Sequence, residues 1–154
     1  MRLININNRI FVNLNVNKWR IKDINVVRKV IRACSIKKQG LSVKLSNDDD
    51  IKELNYHWRG IKKPTNILSF PNLSKEKSFE YLGDIIISFQ TLKKETKINK
   101  VPFESHLSHI LVHGILHLKG YNHDHWEDEN IMKKEEIRIL DMLKMNTTYL
   151  KRTL

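Results

Sequence analysis

The stretch that most constrains this chain is His113-Gly-Ile-Leu-His117-Leu-Lys-Gly120-Tyr-Asn-His123, which reads H-x3-H-x2-G-x2-H. Two histidines four apart on a helix share a face, because the helix repeats every 3.6 residues. A glycine then ends the helix by accepting the left-handed conformation that turns the chain. That turn brings a third histidine back towards the first two. Three imidazoles with no fourth protein ligand describe an open metal site, catalytic rather than structural. The helix that carries them must also be buried. His106, His109, His113 and His117 fall in a stripe about 80° wide. Phe103, Leu107, Ile110, Leu111, Val112, Ile115, Leu116 and Leu118 cover most of the remaining surface. A helix apolar nearly all round belongs at the centre of a fold.

The spacing resembles the metzincin pattern H-E-x-x-H-x-x-G-x-x-H, with Gly114 where a protease has its glutamate. That glutamate takes a proton from the attacking water, so its absence argues against peptide hydrolysis while leaving the metal. Three neutral imidazoles and a water suit one Zn2+ per chain, although Ni, Cu or Co can occupy the same ligands. A divalent cation lowers the pKa of its water towards 7, which serves either an amide or a phosphodiester. His125 competes for the third ligand position; the two-residue interval after Gly120 favours His123. His109, one turn before His113, either lines the same cleft or is a satisfied, partly buried histidine. His106 has no assigned role.

The remaining pattern is that of one α/β (α+β) domain spanning residues 1–154, with a small mixed sheet packed against helices and a tail loose from about 146. Residues 3–14 alternate like a strand, with Asn7-Asn8 as a possible turn. Helical spacing follows over 19–33, alternation over 41–45, and a helix from a cap at Ser46–Asp50 to about Trp58. Caps explain Asp48, Asp49 and Asp50 better than a metal site does. Strands are expected at 66–70 and 81–88, the second buried on both faces at Ile85-Ile86-Ile87. A polar loop, Asn72–Lys77, joins them. Helices are expected at about 90–97, from Val101-Pro102 through the histidines, and from Glu127 to Met145. No apolar run is long enough to span a bilayer. The only cysteine, Cys34, reads as a small buried residue, and a chain without an internal disulfide is expected to be intracellular.

The net charge of +11 is uneven: +10 over residues 1–47, +2 over 48–100 and −1 over 101–154. A basic half beside a metal-binding half suggests a polyanion, with nucleic acid first, although a Lys-, Asn- and Ile-rich composition explains the charge equally well.

The histidine stretch resembles the signature of the YbeY family of bacterial endoribonucleases. Leu54-Asn55…Arg59-Gly60, Pro64-Thr-Asn-Ile-Leu-Ser-Phe-Pro71 and Leu82-Gly-Asp-Ile-Ile-Ile-Ser88 agree with it in order. The resemblance implies a cytoplasmic, zinc-dependent endoribonuclease specific for single strands. It implies action on rRNA, notably at the 16S 3′ end and in ribosome quality control, with the small ribosomal subunit as partner. Neither DNA nor a membrane is expected. His113, His117 and His123 correspond to the zinc ligands and Arg59 to the catalytic cation, whose fork suits a phosphate. Lys62, Lys63 and His109 are candidate RNA contacts. Trp58, Tyr56 and Phe70 could stack on bases, although core packing is the commoner role for such residues. Asp84 reads as structural, with a role behind the metal ligands as the alternative. Two positions depart from the family pattern, Asn66 and Asn122, where aspartate is usual. The rival readings are a ribosome-associated RNA-binding factor with a structural zinc, and another zinc hydrolase.

Overall fold

The alternating pattern at the start of the chain folds as two antiparallel strands, β1 (Arg2–Asn7) and β2 (Ile10–Leu14), the first ending at Asn7 of the expected turn. Asn8 of the expected turn, and the expected loop from residue 74 on, lie outside the described residues. The computed structural model describes residues 2–7, 10–14, 18–36, 39–73 and 81–152. After β2 come α1 (Ile21–Ala33), β3 (Gly40–Ser46), α2 (Asp48–Arg59), β4 (Ile67–Pro71) and β5 (Tyr81–Ser88). They are followed by α3 (Phe89–Asn99), α4 (Phe103–Leu118), α5 (Trp126–Met142) and α6 (Thr148–Lys151).

The five strands form one mixed sheet in the order β1-β2-β3-β5-β4. β2, β3 and β5 are parallel, and the flanking strands β1 and β4 are antiparallel to their neighbours. Parallel neighbours need crossover connections, which α1 and α2 supply. The sheet separates two apolar layers. Leu41, Val43, Leu45, Ile85 and Ile87 face the main core with the apolar stripes of α1, α4 and α5. Ile86 and Leu68 face the other way, onto Ile51 of α2, with Leu54 and Phe70 beside them. β5 is therefore buried on both faces, as its unbroken Ile85-Ile86-Ile87 run requires.

The expected cap of α2 holds. Asn47 Oδ1 accepts from the Asp50 N–H at 2.8 Å, and Asp48 accepts from Ser88 and Thr91 at 2.5 Å each. Asp48 and Asp50 are thus engaged in hydrogen bonds at a helix start, and Asp49 is exposed in its first turn. At the other end, Gly60 adopts φ +71° and stops α2 directly after Arg59. Asn55 Nδ2 donates to the Lys63 carbonyl at 2.8 Å, pinning the elbow that follows.

The tail departs from expectation. Thr147 and Leu150 are buried, and Tyr149 meets His109 edge-on at 5.9 Å. An apolar side chain with a slot to fill docks even a four-residue helix. Cys34 is buried as expected, and burial pushes its thiol up to about 12. Thiol reagents near neutral pH should therefore leave Cys34 unlabelled in the native protein and label it once denaturant unfolds the chain.

A close backbone approach occurs at Gly83, paired with Pro71 across β4 and β5. Its φ is +147°, and a Cβ there would lie 2.2 Å from the Phe70 carbonyl oxygen. Backbone cannot yield as a side-chain tip can. Gly83→Ala should lower stability by about 3 kcal/mol in a urea titration, through strain plus displacement of β4.

Candidate active site

α4 is buried over most of its surface, and its partly open side carries His109, His113 and His117. Leu118 is its last residue. The Tyr121 N–H then bonds the Leu116 carbonyl at 3.0 Å, and Gly120, at φ +102°, reverses the chain. That turn returns His123. Ligand atoms of His113, His117 and His123 all lie within 4.8 Å of one another. The Nε2 atoms of His113 and His117 are 3.0 Å apart. Nitrogens about 2.0–2.1 Å from a tetrahedral zinc are separated by about 3.3 Å, so this donor set fits such an ion. His125 is outside the cluster and precedes the first residue of α5.

Both helical histidines have their second nitrogen occupied. His113 Nδ1 is 2.5 Å from Glu136 Oε1, and His117 Nδ1 donates to the Tyr121 carbonyl at 3.1 Å. Each bond fixes the ring and leaves Nε2 facing the cluster, the arrangement metal-bound imidazoles require. Glu136, on α5, is 4% exposed, and its Oε2 lies 3.0 Å from His109 Nε2. Burial opposes its charge, but the hydrogen bonds to His109 and His113 prevail and hold the carboxyl at about 2. Burial, then the neighbouring His113 and His123, keep His117 below the usual histidine value and so favour the neutral ring that binds metal. Glu136 was not evident from the sequence. It is one of several acids on α5, and only the packing of α5 on α4 singles it out.

The three histidines open into a cleft of about 770 Å3, with Arg59, Trp58, Asn66, Phe70 and His109 among its lining residues. The cleft lies along β4, bringing the end of α2 and the histidine side of α4 to one space. Arg59 is exposed there. Lys62 and Lys63 are exposed on the elbow and do not line the cleft; Lys62 Nζ lies 4.8 Å from the Tyr56 ring centroid instead. His106 turns away, its Nε2 2.9 Å from Glu95 Oε1. Asn66 Nδ2 donates to the same carboxylate at 3.2 and 3.3 Å, a bond that an ionised aspartate could not make. Asn122 is exposed. Asp84 accepts a short hydrogen bond from the Tyr81 hydroxyl and is not part of the cluster, in keeping with a structural role.

Gly114, at the position of the absent glutamate, packs tightly against β4. A Cβ at this position would lie 2.6 Å from Ile67 Cδ1 and 3.1 Å from Ser69 Oγ. The room beside the first histidine is occupied by β4.

Residues 5–144 match the sequence profile of the family described as Endoribonuclease YbeY. The chain belongs to the YbeY family. It is 44% identical over 115 residues to the Endoribonuclease YbeY of Bradyrhizobium diazoefficiens, an alignment covering 71% of this chain and 63% of that protein. With the Endoribonuclease YbeY of Ehrlichia chaffeensis it shares 37% identity over 150 residues, 92% of this chain and 97% of the relative. The solution structure of TM1509 from Thermotoga maritima aligns with a TM-score of 0.58 at 27% identity, over 88% of this chain and 91% of that one. The mixed α/β fold expected from the sequence is therefore the one observed. Among the described residues no helix is long and apolar enough to cross a membrane.

Because Glu136 orients a histidine of the candidate metal site from behind, Glu136→Gln should weaken divalent-metal binding about 10- to 100-fold. Competition against a chromophoric chelator measures this directly.

Proposed function

We propose that this chain is a zinc-dependent endoribonuclease that hydrolyses phosphodiesters in single-stranded RNA, with residues 1–154 as the nuclease unit. The observation that carries the reading is the meeting of the histidine cluster and Arg59 in one cleft, within a chain of the YbeY family. His113, His117 and His123 would hold one zinc ion. When bound, such an ion supplies Lewis-acid polarisation and activation of water. Glu136 and the Tyr121 carbonyl keep the Nδ1 sides of His113 and His117 occupied, so that both rings point Nε2 inward. Arg59, presented by the last turn of α2, orients the phosphate and balances charge developing on its oxygens. His109 borders the same space but commits Nε2 to Glu136, so it contributes shape and polarity rather than a proton. Lys62 and Lys63 extend the positive surface along which a strand leaves the cleft, with salt-sensitive and sequence-independent affinity.

The family points the activity at rRNA: maturation of the 16S 3′ end and ribosome quality control, in the cytoplasm and on the small ribosomal subunit. The +11 charge supports a polyanionic substrate of this kind. A structural zinc, as in a pure RNA-binding factor, is disfavoured because His113 and His117 are only partly buried and His123 is exposed, all open to the cleft.

Purified protein should contain about one zinc per chain and cut a labelled single-stranded RNA, with chelator abolishing and added zinc restoring the cut. Arg59→Ala should lower kcat/KM about 100-fold at unchanged zinc content. His117→Ala should lose cleavage and retain its circular dichroism; loss of fold instead would favour the structural-zinc reading.

A further inference from the structure

Trp58 is 65% exposed on the penultimate position of α2, one residue before Arg59. What distinguishes this exposed indole is that it is held by aromatic neighbours. His57 meets it edge-on with centroids 5.1 Å apart, and Phe70 of β4 lies tilted by 56° at 6.0 Å. Neither neighbour stacks parallel on the indole, so both fix the ring without covering it face to face. Trp58 and Phe70 line the same cleft as the three histidines. The space is far larger than a phosphate group needs and is walled by aromatic and aliphatic groups as well as by imidazoles. A phosphate at Arg59 carries a nucleoside on each side, and Trp58 offers a large flat surface in the same cleft to receive one.

We propose that Trp58, backed by Phe70, is the stacking platform for an unpaired base next to the phosphate that Arg59 holds. The inference rests on the nuclease reading above and adds its specificity element. A base paired in a duplex has both faces covered by its neighbours, whereas a base in a single strand can turn onto an indole. Because every base has a π face, the platform selects unpaired RNA with little regard to sequence. Arg59 and Trp58 thus divide the nucleotide between them, phosphate to one and base to the other.

Trp58→Ala should lower kcat/KM on a short single-stranded RNA about 10-fold, mainly through KM, because base–aromatic stacking contributes about that factor or more. Trp58→Phe should restore most of the loss, and Trp126→Ala, an exposed tryptophan outside the cleft, should change nothing. An abasic site beside the cleaved phosphate should penalise the unaltered protein and add no penalty to Trp58→Ala. A second readout does not depend on cutting: in zinc-loaded Trp126→Phe protein, which keeps the buried Trp19 and the exposed Trp58, oligonucleotide binding should quench the part of the emission that a further Trp58→Phe substitution removes. Cleavage with an unchanged KM in Trp58→Ala and no quenching overturns the platform and leaves the nuclease reading standing. Quenching without cleavage supports the platform and overturns the nuclease reading. The absence of both overturns both.

Discussion

The close contact between α4 and β4 is the constraint on which the rest of this structure depends. Gly114 lets the helix approach the strand until Ile67 Cδ1 occupies the place of a side chain, and Gly83 lets β4 lie against β5. Neither approach tolerates a Cβ without movement. Together they set the distance between the histidine-bearing face of α4 and the strand that walls the cleft. The same packing removes the position from which a peptidase's glutamate would act. One glycine therefore serves both architecture and chemistry: it lets α4 pack on β4 and leaves no carboxylate at the position next to the first histidine of the cluster.

Around that contact, buried polar groups are matched in pairs. Glu136 serves His109 and His113 at once, and Glu95 serves His106 and Asn66. A buried carboxylate would destabilise the fold if left alone; with two imidazole partners it becomes a rigid fixture. The cost of burial is offset by a geometry that holds two rings in place. Asn66 belongs to such a set. Its amide donates where a carboxylate would repel Glu95, so the departure from the family's usual aspartate fits its own surroundings.

Local signals made much of this legible. The intervals between His113, His117, Gly120 and His123 specify helix, turn and convergence without reference to any other part of the chain. The Ile85–Ile87 run announced a strand with two covered faces, and Asn47 with its acids announced a helix start. What was hidden depended on contacts distant in sequence. Glu136 looks like any helix-surface acid until α5 is laid on α4. The docking of Leu150 and Tyr149 depends on a slot that exists only in three dimensions. The exposure of Trp58 likewise reflects where α2 ends relative to β4, which composition cannot reveal. Residues 3–14 show how thin a local signal can be, since period-two alternation alone reads as one strand and only Asn7-Asn8 signals the reversal between β1 and β2.

β4 is both an edge strand and a wall of the cleft. An edge strand ordinarily invites another chain to add to the sheet, and proteins guard against this by covering or charging it. A strand that must admit substrate cannot be permanently covered. Here it is only five residues long and ends in Pro71, whose missing N–H removes one donor from the exposed row. The edge that borders the cleft is thus guarded by its shortness and by a proline, two devices that leave the space in front of it open.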